Sequence, residues 1–162
     1  MPLVKKGDEV ANEWMHIADG AALPDHRKVT VSLARFLALK GEQANEPGPE
    51  GVRLGPEDDP AALEPYLEEL GLVEVTFPKY TDGRGFSQAQ LLRRRFSYGG
   101  ELRAVGHVLR DQIFYMHRSG FDAYETSRAT VSEVLEALAE YSEVYQPSAK
   151  GPAAVFRKRT GA

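Results

Sequence analysis

Leu72-Val73-Glu74-Val75-Thr76-Phe77-Pro78-Lys79-Tyr80-Thr81-Asp82-Gly83-Arg84-Gly85-Phe86-Ser87 carries the chain from an apolar run, through a glycine-bearing loop, toward a helix. Leu72–Phe77 has the length and apolar character of a buried strand. Gln88–Phe96 is a helix-forming run with Ser87 as its expected cap. A loop that joins the C-terminal end of a strand to a helix is where open α/β sheets hold their ligands. This loop offers an acid, an arginine, two glycines and two hydroxyls.

Outward from it, strands and helices alternate. On the C-terminal side, Leu102–Val105 reads as a strand and Val108–Ser119 as a helix stopped by Gly120. Phe121–Tyr124 follows as a strand, and a helix with Thr130/Glu133 capping-box spacing runs to about Tyr141. On the N-terminal side, the acidic entrance Pro56–Pro60 opens a helix to Leu70, which Pro65 makes irregular. Before it come the strands Val29–Val31 and Val52–Leu54, with a Ser32-capped helix over Leu33–Leu39. Residues 1–28 read as an irregular segment of one or two short strands packed on an α/β domain of residues 29–145, and 146–162 as a flexible tail.

Strands separated by helices imply βαβ units and a mainly parallel sheet, with a partial (β/α) barrel as the alternative architecture. Either arrangement brings Pro78–Ser87, Gly106–Asp111 and Glu125–Thr130 to one sheet edge.

Composition restricts the chemistry. The chain contains no cysteine, so disulfides, thiolate metal sites and thiol nucleophiles are excluded. No apolar run approaches a membrane span and the N-terminus lacks a signal-peptide core, so a cytoplasmic protein without membrane association is expected. Lys79–Arg118 holds eight basic residues against three acids, a net +5 that leaves −9 on the remainder of a chain of net charge −4. A local basic region on an acidic protein suits a small oxyanion, a nucleotide phosphate or an acidic partner surface, and argues against general nucleic-acid binding.

Gly83-Arg84-Gly85 can form a backbone nest for an oxyanion with Arg84 as its fork, or a tight turn in which the glycines supply positive φ. The spacing fits neither a dinucleotide fingerprint nor a Walker loop. Asp82 can orient a ligand hydroxyl or act as a base, and is also an ordinary turn residue before glycine. Arg103 sits in mid-strand, where a charge needs a partner, and Glu74 occupies the matching place in the preceding strand. His107, Arg110 and Asp111 cluster at a helix start, where His107 can move protons near neutral pH and Asp111 is favoured by the helix dipole. The candidate catalytic residues are therefore Asp82, His107 and Asp111. The candidate ligand-binding residues are Gly83, Arg84, Gly85, Ser87, Arg103 and Arg110. Arg93, Arg94 and Arg95 read as the solvated face of a helix. No histidine pair has metal-site spacing, and there is no G-x-S-x-G elbow.

Phe77–Ser87, Gly100-Glu101-Leu102-Arg103-Ala104-Val105-Gly106, Leu109-Arg110-Asp111-Gln112 and Gly120-Phe121-Asp122-Ala123, in that order, resemble the bacterial family known as domain of unknown function 934. The resemblance implies a place in assimilatory sulfate and sulfite reduction. It implies an accessory protein that docks on sulfite reductase or its electron donor. The alternatives are a small enzyme binding an oxyanion or nucleotide, or a flavin-dependent oxidoreductase. Without cysteine, an oxidoreductase needs a flavin, a nicotinamide or a partner's cofactor, and no motif names one. Uncovered edge strands would make a homodimer reasonable.

Overall fold

The computed structural model of the chain describes residues 1–42 and 48–140. The expected tail 146–162, the end of the last helix at Tyr141 and residues 43–47 lie outside the described residues. Eight strands form one sheet: β1 (Leu3–Lys5), β2 (Asp8–Val10), β3 (Met15–His16), β4 (Val29–Ser32), β5 (Gly51–Leu54), β6 (Leu72–Phe77), β7 (Glu101–Gly106) and β8 (Ala123–Glu125). Among the described residues the α-helices are α1 (Leu33–Glu42), α2 (Arg84–Gln90), α3 (Arg110–Ser119) and α4 (Val131–Ala139).

The strand order is β2-β1-β8-β7-β6-β5-β4-β3. From β3 to β8 the strands lie in chain order and every neighbouring pair is parallel. β1 pairs antiparallel with β8, and β2 with β1. Parallel crossovers are right-handed in nearly all sheets, so crossovers that step in one direction place their helices on one face. This is the partial (β/α) barrel, and residues 1–28 supply three of its strands. A flat sheet of eight strands would be roughly 34 Å wide. The link from Val10 on one edge to Met15 on the other can span at most about 18 Å. The sheet must therefore curl, and the link crosses its inner face.

The two faces differ in chemistry. Val73, Val75 and Phe77 of β6 alternate toward the helices and join Leu102, Ala104 and Tyr124 in one apolar core. Burying each such large side chain contributes about 1.5–3 kcal/mol. The alternate positions Thr30, Glu74, Arg103 and Glu125 are also buried, but on the inner face. Among the described residues no helix is long and apolar enough to cross a membrane.

Several local expectations hold. Ser32 Oγ accepts from the Arg35 backbone N–H at 3.2 Å, Thr130 and Glu133 form the capping box, and Gly120 ends α3 in a left-handed conformation. Others change. Pro65 keeps Pro60–Tyr66 a tight 3-10 helix, so no regular helix reaches Leu70. α2 begins at Arg84, not Gln88, and continues as a wider π-helical turn over Leu91–Arg95.

Gly51 is a point of close approach on the inner face. A Cβ there would stand 2.7 Å from Thr30 Cγ2 and 3.0 Å from Trp14 Cζ3. Gly51→Ala should therefore cost about 1–3 kcal/mol, the usual penalty of overpacking. Trp14 is the chain's one tryptophan, so its fluorescence should shift as the denaturant midpoint falls.

Candidate functional site

The loop after β6 pairs its own charges. Asp82 Oδ1 accepts from the backbone N–H of Arg84 at 3.1 Å and from Arg84 Nε at 3.0 Å, while Asp82 Oδ2 accepts from Nη2 at 2.7 Å. Arg84 Nη1 also pairs with Glu57. Asp82, not Ser87, thus takes up the first helical N–H, and Ser87 lies exposed inside α2. Gly83 has φ −87°, so the positive φ expected of these glycines is absent and the backbone is helical, unlike a nest. Gly85 serves packing: a Cβ would fall 2.6 Å from Phe77 Cζ, so its absence lets α2 lie directly on β6.

The side-chain and backbone hydrogen bonds from Arg84 hold the Asp82 carboxyl down to about 2. A depressed folded pKa means that this contribution is full above the ordinary carboxylate value and is lost as pH falls through about 2. The protection of the Arg84 amide, relative to the intrinsic exchange rate at each pH, should accordingly fall between about pH 4 and 2. Asp82→Asn should remove that pH dependence.

The three loops do converge. The His107 N–H donates to Phe77 O at 2.7 Å, Gln112 Nε2 donates to Tyr80 O at 2.7 Å, and Thr126 Oγ1 donates to Val108 O at 2.7 Å. The His107 ring lies 6.1 Å from that of Tyr80, with Nδ1 buried and without a hydrogen-bond partner. Asp111 is exposed in the first turn of α3 and lies 3.7 Å from Arg110 Nη1, which is 3.6 Å from Glu140. Among the described residues, no hydrogen bond or ion pair joins Asp82, His107 and Asp111 to one another. They share an edge but not a catalytic contact. Nor does any group of three His, Asp or Glu residues among the described residues suit a metal ion.

Arg103 stands away from these loops, at the centre of the inner face. Its Nε and Nη2 donate to Glu101 Oε1 at 2.9 and 2.7 Å, and Nη1 donates to Asn12 Oδ1 at 2.9 Å. Nη1 also lies 3.7 Å from Glu74 Oε1 and 3.6 Å from Glu125 Oε2. The expected Glu74–Arg103 pair is present, but Glu101 is the closer partner. Lys5 completes the cluster at 2.6 Å from Glu101. Three cations, counting Arg53 beside Glu74, thus face three carboxylates. The reading of residues singly did not find Asn12, Thr30, Arg53, Glu101 or Glu125. The signal was the alternation of polar residues along β4 to β7.

The row of three arginines divides. The Arg93 side chain is 4 % exposed and pairs with Asp122, which corrects its reading as a solvated residue. Arg94 makes no ion pair among the described residues and lines a groove of about 480 Å³ between α2 and α3, with Phe86, Gln90, Gln112, Tyr115 and Arg118. Among the described residues no carboxylate lines that groove. Tyr115 is 60 % exposed and Leu91, on the same helical run as Arg94, is 37 % exposed. Gln112 donates its Nε2 to Tyr80 O, which leaves its buried Oε1 without a donor.

No curated protein matches the chain. One family model matches residues 51–156, more than half of the sequence, and takes in both the groove and most of the inner-face charges. On that match the chain belongs to the family described as bacterial protein of unknown function (DUF934).

Proposed function

We propose that the protein is an accessory component of assimilatory sulfate and sulfite reduction, which docks through the α2–α3 groove on an acidic surface of sulfite reductase or its electron donor. The observation that carries this reading is the contrast among the basic residues. Arg84, Arg93, Arg103 and Arg110 have carboxylate partners. Arg94 stands in an acid-free groove beside an exposed tyrosine. Aromatic and arginine side chains dominate binding energy at protein interfaces.

Immobilised sulfite reductase should retain the protein at low salt and release it as salt rises, because exposed charges steer such encounters. Tyr115→Ala and Arg94→Glu should each weaken retention by about 2 kcal/mol, roughly thirtyfold, without altering the unfolding midpoint. Retention unchanged in both variants would overturn the groove as the docking surface. The enzyme reading would replace docking if adenylyl sulfate, a flavin or a nicotinamide raised the melting temperature and Arg84→Ala abolished that rise.

A further inference from the structure

Across four strands of the inner face, side chains form a continuous hydrogen-bonded chain that ends at the sheet edge. His16 Nδ1 on β3 lies 3.1 Å from Thr30 Oγ1 on β4. Thr30 Oγ1 donates to Glu74 Oε2 on β6 at 2.8 Å, reaching across the position that Gly51 leaves without a side chain. Arg53 Nε on β5 donates to the same Glu74 oxygen at 2.7 Å.

The protons in this chain have fixed places. Glu74, ion-paired with Arg53, is a carboxylate and only accepts. The single Thr30 hydroxyl proton therefore points to Glu74, and Thr30 offers His16 a lone pair. Nδ1 must carry the imidazole proton, which leaves the Nε2 of neutral His16 as an acceptor. His16 is exposed on its edge strand, and no described residue hydrogen-bonds Nε2. Partial desolvation of the ring, then the Arg53 charge, lower the His16 pKa from its ordinary value against the opposing pull of Glu74 and Asp19, which favours the neutral ring. Asp19 is itself engaged, accepting from Ser32 Oγ at 2.7 Å. Arg53 is held by its Nε edge. Its two Nη groups make no hydrogen bond or ion pair among the described residues, and the side chain is 28 % exposed.

We infer that Arg53 and His16 form a binding site for a small oxyanion that carries its own hydroxyl hydrogen, of the hydrogen-phosphate class. The guanidinium fork takes the charged oxygens, and His16 Nε2 accepts the ligand's O–H. The relay to Glu74 holds the ring in the tautomer that this requires. Neither residue belongs to the α2–α3 groove, so the site stands or falls independently of docking.

Inorganic phosphate titrated into the isotope-labelled native protein at pH 7 tests the site by nuclear magnetic resonance. The imidazole spectrum should show the Nδ1–H tautomer, and phosphate should shift the His16 Nε2 and Arg53 Nη resonances saturably. Sulfate carries no hydrogen at this pH and should bind about tenfold more weakly, the scale of one hydrogen bond. Arg53→Lys, which keeps the charge but not the fork, should weaken phosphate by about tenfold. His16→Asn keeps a donor toward Thr30 while removing Nε2, and should erase the preference for phosphate over sulfate. An Nε2–H tautomer in the native protein, resonances indifferent to phosphate, or equal affinity for the two anions would each overturn the assignment.

Discussion

Arg103→Met should lower the stability of the protein by about 3–5 kcal/mol, the range seen when one partner is removed from a buried ion pair. Set against the 5–15 kcal/mol that typically holds a domain folded, this is a large share of the total. The cause is what the substitution leaves behind. Arg103 is 1 % exposed, and Glu101, Glu74 and Glu125 surround it on three strands. Methionine fills similar space and supplies no charge. Glu101 would keep Lys5, and Glu74 would keep Arg53 and Thr30. Among the described residues, Glu125 would keep only Asn12 Nδ2. Asn12 would meanwhile lose the donor that ties the inner link to β7. Urea unfolding followed by Trp14 fluorescence reads both effects, because Trp14 belongs to that link and packs on Gly51 and Gly71. Arg103→Met combined with Glu125→Gln should recover part of the loss, since the carboxylate left without a cation is neutralised along with its partner. If Arg103→Met were neutral, the cluster would be an incidental arrangement and not the feature that closes the inner face.

Much of this fold can be read from the chain, and the misreadings have physical causes. The alternation of apolar runs with helix-forming stretches is local, so β4 to β8 and the four α-helices are recoverable from periodicity and capping. β1 and β2 are three residues each and exist as strands through their pairing with β8 and with each other, which no local pattern encodes. The inner-face charges leave a trace in Val29-Thr30-Val31-Ser32, Gly51-Val52-Arg53-Leu54 and Glu101-Leu102-Arg103-Ala104. Parallel strands covered by helices on both faces read as continuous apolar runs. Period-two polarity in parallel strands therefore marks a sheet wound in one direction only. The glycines of the β6–α2 loop misled for a different reason. Glycine signals an unusual dihedral or a close approach, and only the tertiary neighbour distinguishes them. At Gly85 that neighbour is Phe77.

Arg93→Ala should destabilise the protein as severely as the loss of Arg103, whereas Arg94→Ala, one residue along, should change stability by less than about 0.5 kcal/mol. Sequence gives these neighbours identical chemistry, and the backbone separates them. The π-helical turn over Leu91–Arg95 rotates Arg93 inward, where its side chain is 4 % exposed. There its guanidinium joins three chain segments. Nε donates to Gly120 O at 2.9 Å, at the end of α3. Nη1 donates to Tyr98 O and Gly100 O at 2.5 and 2.8 Å, ahead of β7. Nη2 pairs with Asp122, just before β8. Alanine would strand three carbonyls and take the Arg93 guanidinium away from half-buried Asp122. Arg93→Lys should rescue little, because an ammonium keeps the charge but cannot present a planar fork to four oxygens at once. Gly120 fixes the same geometry from the other side. Its φ of +114° disfavours any other residue, and a Cβ would lie 2.4 Å from Arg93 Cγ. Denaturant midpoints with unchanged slopes would establish the difference as one of native stability. Equal loss in Arg93→Ala and Arg94→Ala would instead place both side chains in the structural framework, and Arg94 could not then serve as the docking residue.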